Sequence, residues 1–405
     1  MRIAYVCADL GVPLFGRKGA SIHVRELVRA LRALGHEILV VTPRAEGERP
    51  RDFTALVEEI RPDAAYDAAV DTLGRSDGAG AVARDLRSLL YRESLRRHAL
   101  EPLRRFAPDV VYERYSLFGD AGLGLARELD VPFVLEVNAP LTDEQSRHRG
   151  LVLADLARLI EFEVLRAADR VLTVSTALER WLVQVGVDPG RVTVVPNAVD
   201  PAKFDVPPEQ TAPIREMLGA ESAALVGFVG SLKPWHDVSG LIDAVAELAD
   251  AERPVKLVVI GTGPEQEALE KRARRARVDA LFMGGLQHDR VPAHVAALDV
   301  AVAPYSSDDG FYFSPLKVVE YLAAAVPVVA AEVGDLRHCV RPGETGWLYR
   351  PGDARSLAGA IGAVVSDPDA KRIARAGRDH ARREHTWNGA AERVVELAAG
   401  ARRSR

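Results

Sequence analysis

Residues 310–330 read GFYFSPLKVVEYLAAAVPVVA and combine the start of a helix with a buried strand. Ser314 followed by Pro315 is typical of a helix start, with serine as the N-cap and proline at the first helical position. The predicted helix continues through Lys317 and ends before the run 326–330, whose valine-rich sequence is typical of a buried strand. A helix that leads directly into such a strand is typical of α/β proteins with parallel sheets.

The start of this helix has the chemistry of an anion-binding site. The backbone N–H groups of Leu316 and Lys317 have no intrahelical partners there, and the positive end of the helix dipole lies behind them. The Lys317 side chain adds a full positive charge, and Glu320, one turn later, is placed to accept hydrogen bonds from a pair of hydroxyls. A nucleotide diphosphate attached to ribose supplies both the anion and the hydroxyls.

Composition bounds the possible function classes. The chain has 405 residues, 48% of them hydrophobic and 27% charged, which is ordinary for a globular protein of two or three domains. No apolar run is long enough to span a bilayer, and the N-terminus has no signal-peptide pattern. Cys7 and Cys339 lie far apart, which favours a reducing compartment, and we expect a cytoplasmic protein. The net charge of −5 gives no reason to expect nucleic acid as a partner.

Strand-like runs alternate with helical patterns along the whole chain, as in parallel α/β architecture. The stretch VVPNAVDPAKFDVPPEQTAP (194–213) interrupts this alternation with five prolines and is typical of an interdomain linker or of the entry to a second domain. We therefore predict two tandem α/β domains that face each other across a cleft. Ligands bind such sheets outside the carboxyl ends of the strands, which is where the motifs of this chain fall. The predicted strands are 2–7, 37–42, 109–112, 132–136, 170–174, 191–195, 224–229, 255–260, 280–284, 299–304 and 326–330.

Residues 310–330 resemble the donor-binding motif of glycosyltransferase family four, whose members are retaining enzymes of the GT-B fold. The resemblance implies two Rossmann-like α/β/α domains: an acceptor-side domain at 1–195, onto which a C-terminal helix at 386–405 packs, and a nucleotide-sugar-binding domain at 196–385. It implies that Glu320 holds the ribose hydroxyls. Tyr312 occupies the place of the family's first glutamate, on the acceptor side of the sugar, and the SPLK-x-x-EY variant is known in a branch of the family. Phe313, Ser314 and Leu316 belong to the implied donor-binding set.

The segment GFVGSLKPWHDVSGLIDAVAEL (227–248) resembles the family's G-R-L-x-x-x-K-G loop, whose two cations neutralise the donor diphosphate. Ser231 stands at the arginine position and His236 at the lysine position, with Lys233 as an additional cation. A site without metal must offset roughly two negative charges of the departing diphosphate with dipoles and cations. Lys317, Lys233 and His236 together are the groups we expect to do so, with His236 and Lys317 as catalytic candidates.

Several glycine-containing turns resemble places where the family's backbone approaches the donor. They follow the first strand, end the run VVIGTGP, and precede the segment QHDR. The loop after the first strand lacks G-x-G-x-x-G, which disfavours a nicotinamide dehydrogenase. The donor-binding residues implied by these turns are Gly19, Gly261, Gly263, Gly285 and His288.

Three polar residues of the first half are expected just past strand ends, facing the cleft: Arg114, Glu136 and Asn138. Glu136 and Asn138 are candidates to orient the acceptor or the sugar hydroxyls, with Arg114 on the acceptor side. A carboxylate at an apolar strand end is costly unless it is paired, so Arg114 and Glu136 are equally interpretable as a structural ion pair.

The segment RDLRSLLYRESLRRHALEPLRR (84–105) carries seven arginines against three acidic residues. Such a helix suits an anionic membrane surface or an acidic acceptor. We favour a solvated surface helix instead, because the acidic residues dilute the positive charge.

These observations together predict a retaining, metal-independent glycosyltransferase with no cofactor. The expected donors are UDP-N-acetylglucosamine, UDP-glucose or GDP-mannose, and the expected acceptor is a small molecule, a natural product or a glycan. A nucleotide-sugar epimerase of the same fold, or a non-catalytic relative that binds nucleotide sugars, remains an alternative.

Overall fold

The computed structural model describes residues 1–76, 79–249, 253–307, 310–314 and 316–401, and only the backbone of His148 and His288. The chain forms two compact units, and each is described here by itself. Unit 1 contains Met1–Pro196 together with the chain from Trp387 onward, and unit 2 contains Asn197–Thr386. The part of the predicted C-terminal helix at 402–405 lies outside the described residues.

Unit 1 contains a seven-stranded parallel sheet with the strand order β3-β2-β1-β4-β5-β6-β7. Its elements up to the last strand are β1 (Arg2–Cys7), α1 (Gly19–Ala33), β2 (Glu37–Thr42), β3 (Leu56–Glu59), α2 (Ala64–Gly74), α3 (Gly80–Phe106), β4 (Val110–Arg114), α4 (Ala121–Leu129), β5 (Phe133–Val137), α5 (Leu141–Arg149), α6 (Ala154–Ala167), β6 (Arg170–Thr173), α7 (Thr176–Gln184) and β7 (Val192–Val194).

Unit 2 contains a six-stranded parallel sheet with the order β10-β9-β8-β11-β12-β13. Its elements are α8 (Pro208–Leu218), β8 (Ala224–Val229), α9 (Val238–Ala246), β9 (Val255–Ile260), α10 (Gln266–Arg275), β10 (Ala280–Gly284), α11 (Val291–Ala296), β11 (Val300–Ala303), α12 (Leu316–Ala323), β12 (Val328–Ala331), α13 (Leu336–Cys339), β13 (Trp347–Tyr349), α14 (Ala354–Ser366) and α15 (Ala370–Glu384). The last helix, α16 (Trp387–Gly400), returns to unit 1 and packs on α1.

Both sheets form because their central strands are almost continuously apolar. Five of the six residues of β1 and of β8 are buried, and so are all four of β12. Parallel strands covered by helices on both faces need such runs, since neither face meets water. The apolar side chains of each unit form one core around its sheet.

Two strands were not predicted, and both lie at sheet edges. β3 has the sequence LVEE and no buried residue, while β13 has only three residues. Edge strands lack the apolar run that identifies a central strand. The proline-rich stretch 194–213 was predicted as a linker or as the entry to a second domain. It contains a 3₁₀ turn at Pro201–Phe204 and the first residues of α8, which starts with Pro208 at its first position.

Each sheet has one place where the order of strands along the sheet reverses direction. In unit 1 this place lies between β1 and β4, and in unit 2 between β8 and β11. The loops that leave these neighbouring strands turn to opposite faces of the sheet and leave a crevice at the carboxyl edge, where ligands of doubly wound sheets bind. None of the helices in the described part of the chain combines the length and apolar composition that a membrane span requires.

Candidate functional site

In unit 2, the reversal point between β8 and β11 brings together the loop that follows β8 and the segment that leads into α12. The loop contains Ser231, Lys233 and His236, and α12 carries Lys317 and Glu320. These are the residues that the sequence predicts for donor binding, and they come from two segments about eighty residues apart. Parallel topology joins them because the carboxyl ends of adjacent strands lie at the same edge.

The Lys317 side chain is the most unusual feature of this edge. The residue is only 8% exposed, and among the described residues its Nζ has no hydrogen-bond partner. The amine lies 4.2 Å from the ring centroid of Phe228 and 5.7 Å from that of Tyr305. Burial lowers the pKa of Lys317 to about 7, although the Glu320 carboxylate acts in the opposite direction. Cation–π contacts stabilise an ammonium only partly, so the group lacks the anion that its burial calls for.

His236 lies beside this amine as a neutral ring. Its Nδ1 is 2.6 Å from the carbonyl oxygen of Ser231, and its ring centroid is 5.8 Å from those of Phe228 and Tyr305. Burial and the positive charges of Lys317 and Lys233 lower the pKa of His236 to about 3. Because a carbonyl only accepts, Nδ1 carries the proton and Nε2 is left as an acceptor. The expected cationic role of His236 therefore requires a nearby anion to raise this pKa.

Gly261 and Gly263 are required by the packing of two neighbouring loops, a requirement that the sequence did not show. A Cβ at Gly261 would lie 1.8 Å from the carbonyl oxygen of Gly230, and one at Gly263 would lie 2.2 Å from that of Leu232. Gly261 also has a φ of +137°. The loop after β9 therefore packs backbone against backbone on the loop after β8. This contact requires glycine whether or not a ligand binds, so the two glycines alone do not identify a nucleotide site.

The residues before α12 are held by neighbours within unit 2. Ser314 Oγ accepts from the backbone N–H of Asn197 at 3.0 Å, and the side-chain amide of Asn197 donates to the Ser314 carbonyl at 2.5 Å. Phe313 stacks on Trp235, with centroids 6.4 Å apart and an interplanar angle of 13°. Tyr312 lies against Phe313 at 4.3 Å. Pro315 is outside the described residues, so the capping role of Ser314 stays a prediction.

Four other predicted donor residues have less defined surroundings. Lys233 lies over the Trp235 ring at 4.7 Å, and Leu316 is the first residue of α12. Gly285 follows β10, where a Cβ would lie 3.8 Å from Thr262, in ordinary contact. His288 begins a short 3₁₀ turn, and its side chain is outside the described residues.

In unit 1, the expected positions of Arg114 and Glu136 need correction. Arg114 is the last residue of β4 rather than a loop residue, and Glu136 lies inside β5, with only Asn138 past the strand end. The register places Arg114 directly opposite Glu136. Side chains opposite each other on neighbouring parallel strands share a face of the sheet, so the strand pairing itself brings the two charges together. The predicted strand 109–112 ended two residues before Arg114, whereas the predicted strand 132–136 already contained Glu136.

Glu136 is the centre of a buried hydrogen-bond network. Its carboxylate accepts from the Tyr112 hydroxyl, the Asn138 amide and Arg114 Nη1, the last at 2.6 Å. His23 Nε2 lies 2.9 Å away. Burial opposes ionisation, but His23, Arg114 and the donated hydrogen bonds outweigh it and hold the pKa of Glu136 well below its usual range. A carboxylate that is ionised and saturated with donors suits the structural interpretation better than proton transfer.

Sequence reasoning missed His23 and Tyr112 in this network. Tyr112 precedes Arg114 by two residues on β4 and therefore shares its face, a signal that was available. His23 comes from α1 and packs edge-on against Trp387 of α16, with centroids 5.0 Å apart. No local pattern indicates that contact.

Gly19, the remaining predicted residue, is the first residue of α1, and a Cβ there would meet no atom within 4 Å.

Across the described residues, no three His, Cys, Asp or Glu side chains are grouped as ligands for a metal ion. The unit 2 edge combines a buried ammonium, a second lysine and a helix start, and Glu320, one turn further on, adds a half-buried carboxylate. Groups of this kind can hold a phosphate through charge and backbone donors together.

Two family models match the chain. One described as Glycosyltransferase Family 4 matches residues 17–203, and one described as Glycosyl transferases group 1 matches residues 223–367. The glycogen synthase of Mycobacterium tuberculosis is 29% identical over 416 residues, covering 100% of this chain and 95% of the relative. The D-inositol 3-phosphate glycosyltransferase of Kineococcus radiotolerans is 30% identical over 408 residues, covering 94% of this chain and 89% of the relative.

A solved structure shows the same fold. The Anabaena protein HepE, crystallised with UDP, superimposes with a TM-score of 0.75 at 19% identity, covering 99% of this chain and 100% of HepE. At that identity the likeness concerns the fold alone. It agrees with the two α/β units and their parallel sheets, which are those of the GT-B class.

We predict that Lys317→Met stabilises the ligand-free protein. The folded-state pKa of Lys317 lies below its unfolded value, so the penalty for burying the ammonium is fully present below about pH 7 and disappears as pH rises toward 10.5. The substitution should raise the free energy of unfolding by about 2 kcal/mol at pH 6 and by less at pH 9. Urea unfolding at both pH values measures this. Lys271→Met, at an exposed lysine paired with Glu267, is the matched control and should change stability by less than about 0.5 kcal/mol. Equal destabilisation by Lys317→Met at both pH values would contradict the unpaired-ammonium interpretation.

We also predict that Gly261→Ala destabilises the protein by about 3 kcal/mol, because the new Cβ collides with a backbone carbonyl at a positive φ. Gly359→Ala is the control: its Cβ meets no atom within 4 Å inside α14, and alanine favours helix by about 1 kcal/mol. Chemical denaturation compares the two variants. A Gly261→Ala protein as stable as wild type would show that the two loops are not packed as described.

Proposed function

Since the chain belongs to glycosyltransferase family four and is a GT-B enzyme that uses nucleotide sugars, we propose that it transfers a hexose from a UDP-sugar with retention of configuration and without a metal ion. The observation that carries the proposal is the buried, unpaired ammonium of Lys317 at the reversal point of the unit 2 sheet. Unit 2 would bind the donor and unit 1 the acceptor. HepE binds UDP in its crystal, so UDP is the first base to test, ahead of GDP.

The diphosphate would lie against Lys317 and the first backbone N–H groups of α12. An anion there favours the charged forms of nearby bases, so it raises the pKa of Lys317 from about 7 and that of His236 from about 3. The site would thus acquire positive charge when the substrate arrives. The same charges stabilise the departing diphosphate, which is the role that a metal ion plays in other transferases.

Glu320 would hold the ribose. It lies one helical turn after Lys317 and is half-buried, so its carboxylate is close enough to the phosphate site to accept from both ribose hydroxyls. Tyr312 and Phe313 would border the sugar. The released phosphate would then take the proton of the acceptor hydroxyl on the same face of the sugar, which gives retention. Closure of the site around the substrates would limit hydrolysis.

Glu136 and Asn138 fit a supporting role better than a catalytic one in this scheme. Their side chains bond each other, and the Glu136 carboxylate also holds Tyr112 and Arg114. An epimerase needs a carboxyl group whose proton is available near neutral pH. Glu136 is ionised and bonded to three neighbouring side chains, so it does not fit this role, and we favour transfer over epimerisation.

We predict that Glu320→Gln weakens UDP binding about ten-fold, because the neutral amide replaces one acceptor of the ribose hydroxyls. Lys317→Met should instead lower kcat/KM about 100-fold through lost charge stabilisation. Calorimetric titration with UDP and a UDP-release assay measure the two effects. Glu267→Gln, at an exposed glutamate on α10, is the control and should change neither. Equal UDP affinity of wild type and Glu320→Gln would contradict the role given to that carboxylate, and absence of UDP, GDP, ADP and dTDP binding by wild type would overturn the donor site itself.

A further inference from the structure

Unit 1 contains a cavity of about 270 Å³ at the reversal point of its own sheet. Its walls include residues that directly follow β1, residues that directly follow β4, and one side of α3. The volume is just below the range of about 300–1,000 Å³ for pockets that hold small molecules. It therefore suits one compact ligand, and it lies where a doubly wound sheet places its ligands.

The lining of this cavity is rich in arginine. Its charged side chains are Arg84, Arg87, Arg92 and Arg149, together with Asp9 and Asp85. The first three arginines belong to α3, so part of the arginine-rich side of this helix lines the cavity and is not only exposed to solvent. It supplies one wall of the cavity.

The two aspartates are already bonded to the protein. Asp85 is buried, and it accepts from Arg84 at 3.2 Å and from the backbone N–H groups of Val152 and Leu153 at 2.7 and 3.1 Å. Asp9 accepts from the backbone N–H of Gly11 at 2.7 Å. The charge of Asp85 is thus engaged by three donors of the protein, and four arginines outnumber the two aspartates in the cavity lining.

The arginine side chains, by contrast, keep guanidinium N–H donors that their ion pairs do not use. Asp67 and Asp71 of α2 bind Arg87, and Asp120 binds Arg92 at 2.8 Å. These three acids lie outside the cavity lining and hold the guanidinium groups in place. Each guanidinium has five N–H donors, and the pairs use only some of them. Arg149, at the end of α5, has no ion-pair partner among the described residues, and its charge is available to a ligand.

We propose that this cavity binds the acceptor substrate and that the acceptor carries a phosphate group. The assignment rests on the proposed function, since it takes the site of unit 1 as the acceptor site. Arginine matches phosphate through paired N–H donors, and the cavity offers four such side chains. The Ser88 and Ser116 hydroxyls in the same lining suit the polyol part of the molecule. The phosphate belongs either to a soluble sugar or cyclitol phosphate or to a lipid headgroup of the same chemistry.

The test compares matched acceptors that differ only in phosphate: glucose with glucose 6-phosphate, and myo-inositol with myo-inositol 1-phosphate. Binding to the full-length protein is measured by calorimetry, and transfer from UDP-glucose by UDP release. The phosphorylated member of at least one pair should bind about ten-fold or more tightly than its neutral partner. Arg149→Gln and Arg87→Gln should each weaken that binding about ten-fold while the UDP affinity stays unchanged.

Arg104→Gln is the matched control, because Arg104 lies on the same helix in an exposed pair with Glu101 and does not line the cavity. It should leave both affinities as in wild type. Arg149→Gln removes an exposed side chain without an ion pair, so the test does not depend on the folding of Arg87→Gln. Thermal melting verifies that each variant is folded.

A lipid source is tested separately with phosphatidylcholine vesicles that contain or lack phosphatidylinositol. Co-sedimentation that requires phosphatidylinositol and is lost in Arg149→Gln supports the headgroup as the ligand, and competition by a soluble sugar phosphate supports the soluble source. If UDP binds but no phosphorylated probe and no phosphatidylinositol vesicle does, the acceptor inference is overturned and the proposed function stands. If the phosphorylated probes bind and UDP does not, the donor site is wrong and the cavity assignment as a phosphate site stands.

Discussion

The central constraint of this structure is the cost of burying an ammonium without a counterion. Lys317 is enclosed by the Phe228 and Tyr305 rings, and its amine has no hydrogen-bond acceptor among the described residues. Such a group lowers the free energy of unfolding of the protein. An apolar side chain at this position would not carry that penalty. In the proposed function, the missing partner of this ammonium is the diphosphate of the substrate.

The same constraint explains the surroundings of Lys317. Burial, together with the positive charge of Lys317, lowers the pKa of His236 and keeps its ring neutral. The loops after β8 and β9 approach so closely that only glycine fits at positions 261 and 263. These features hold the edge of the unit 2 sheet in one geometry before any ligand binds. Side chains held in a fixed geometry need little reorganisation when charge develops in a transition state.

Much of the fold could be predicted from the sequence because the central strands are uninterrupted apolar runs. Edge strands β3 and β13 were not recognised, since a half-exposed LVEE and a three-residue WLY carry no such run. The helix that begins at Leu316 was also identifiable, because a serine–proline pair before a helical pattern is a local signal. The part that its lysine and glutamate play in donor binding stays a prediction. The partners of Glu136 were only partly predictable: Arg114 was considered, but His23 is more than one hundred residues away in sequence. Charge states depend on burial, which is why the neutral form of His236 could not be read from the motif.

The most direct test of the account is the ionisation of Lys317 itself, followed by NMR in protein labelled with ¹⁵N-lysine and assigned with the Lys317→Met variant. The titration midpoint of Lys317 is expected near pH 7 in the free protein and about one pH unit or more higher when UDP is bound. A midpoint close to the ordinary lysine value of 10.5 in the free protein, or one that UDP leaves unchanged, would contradict it.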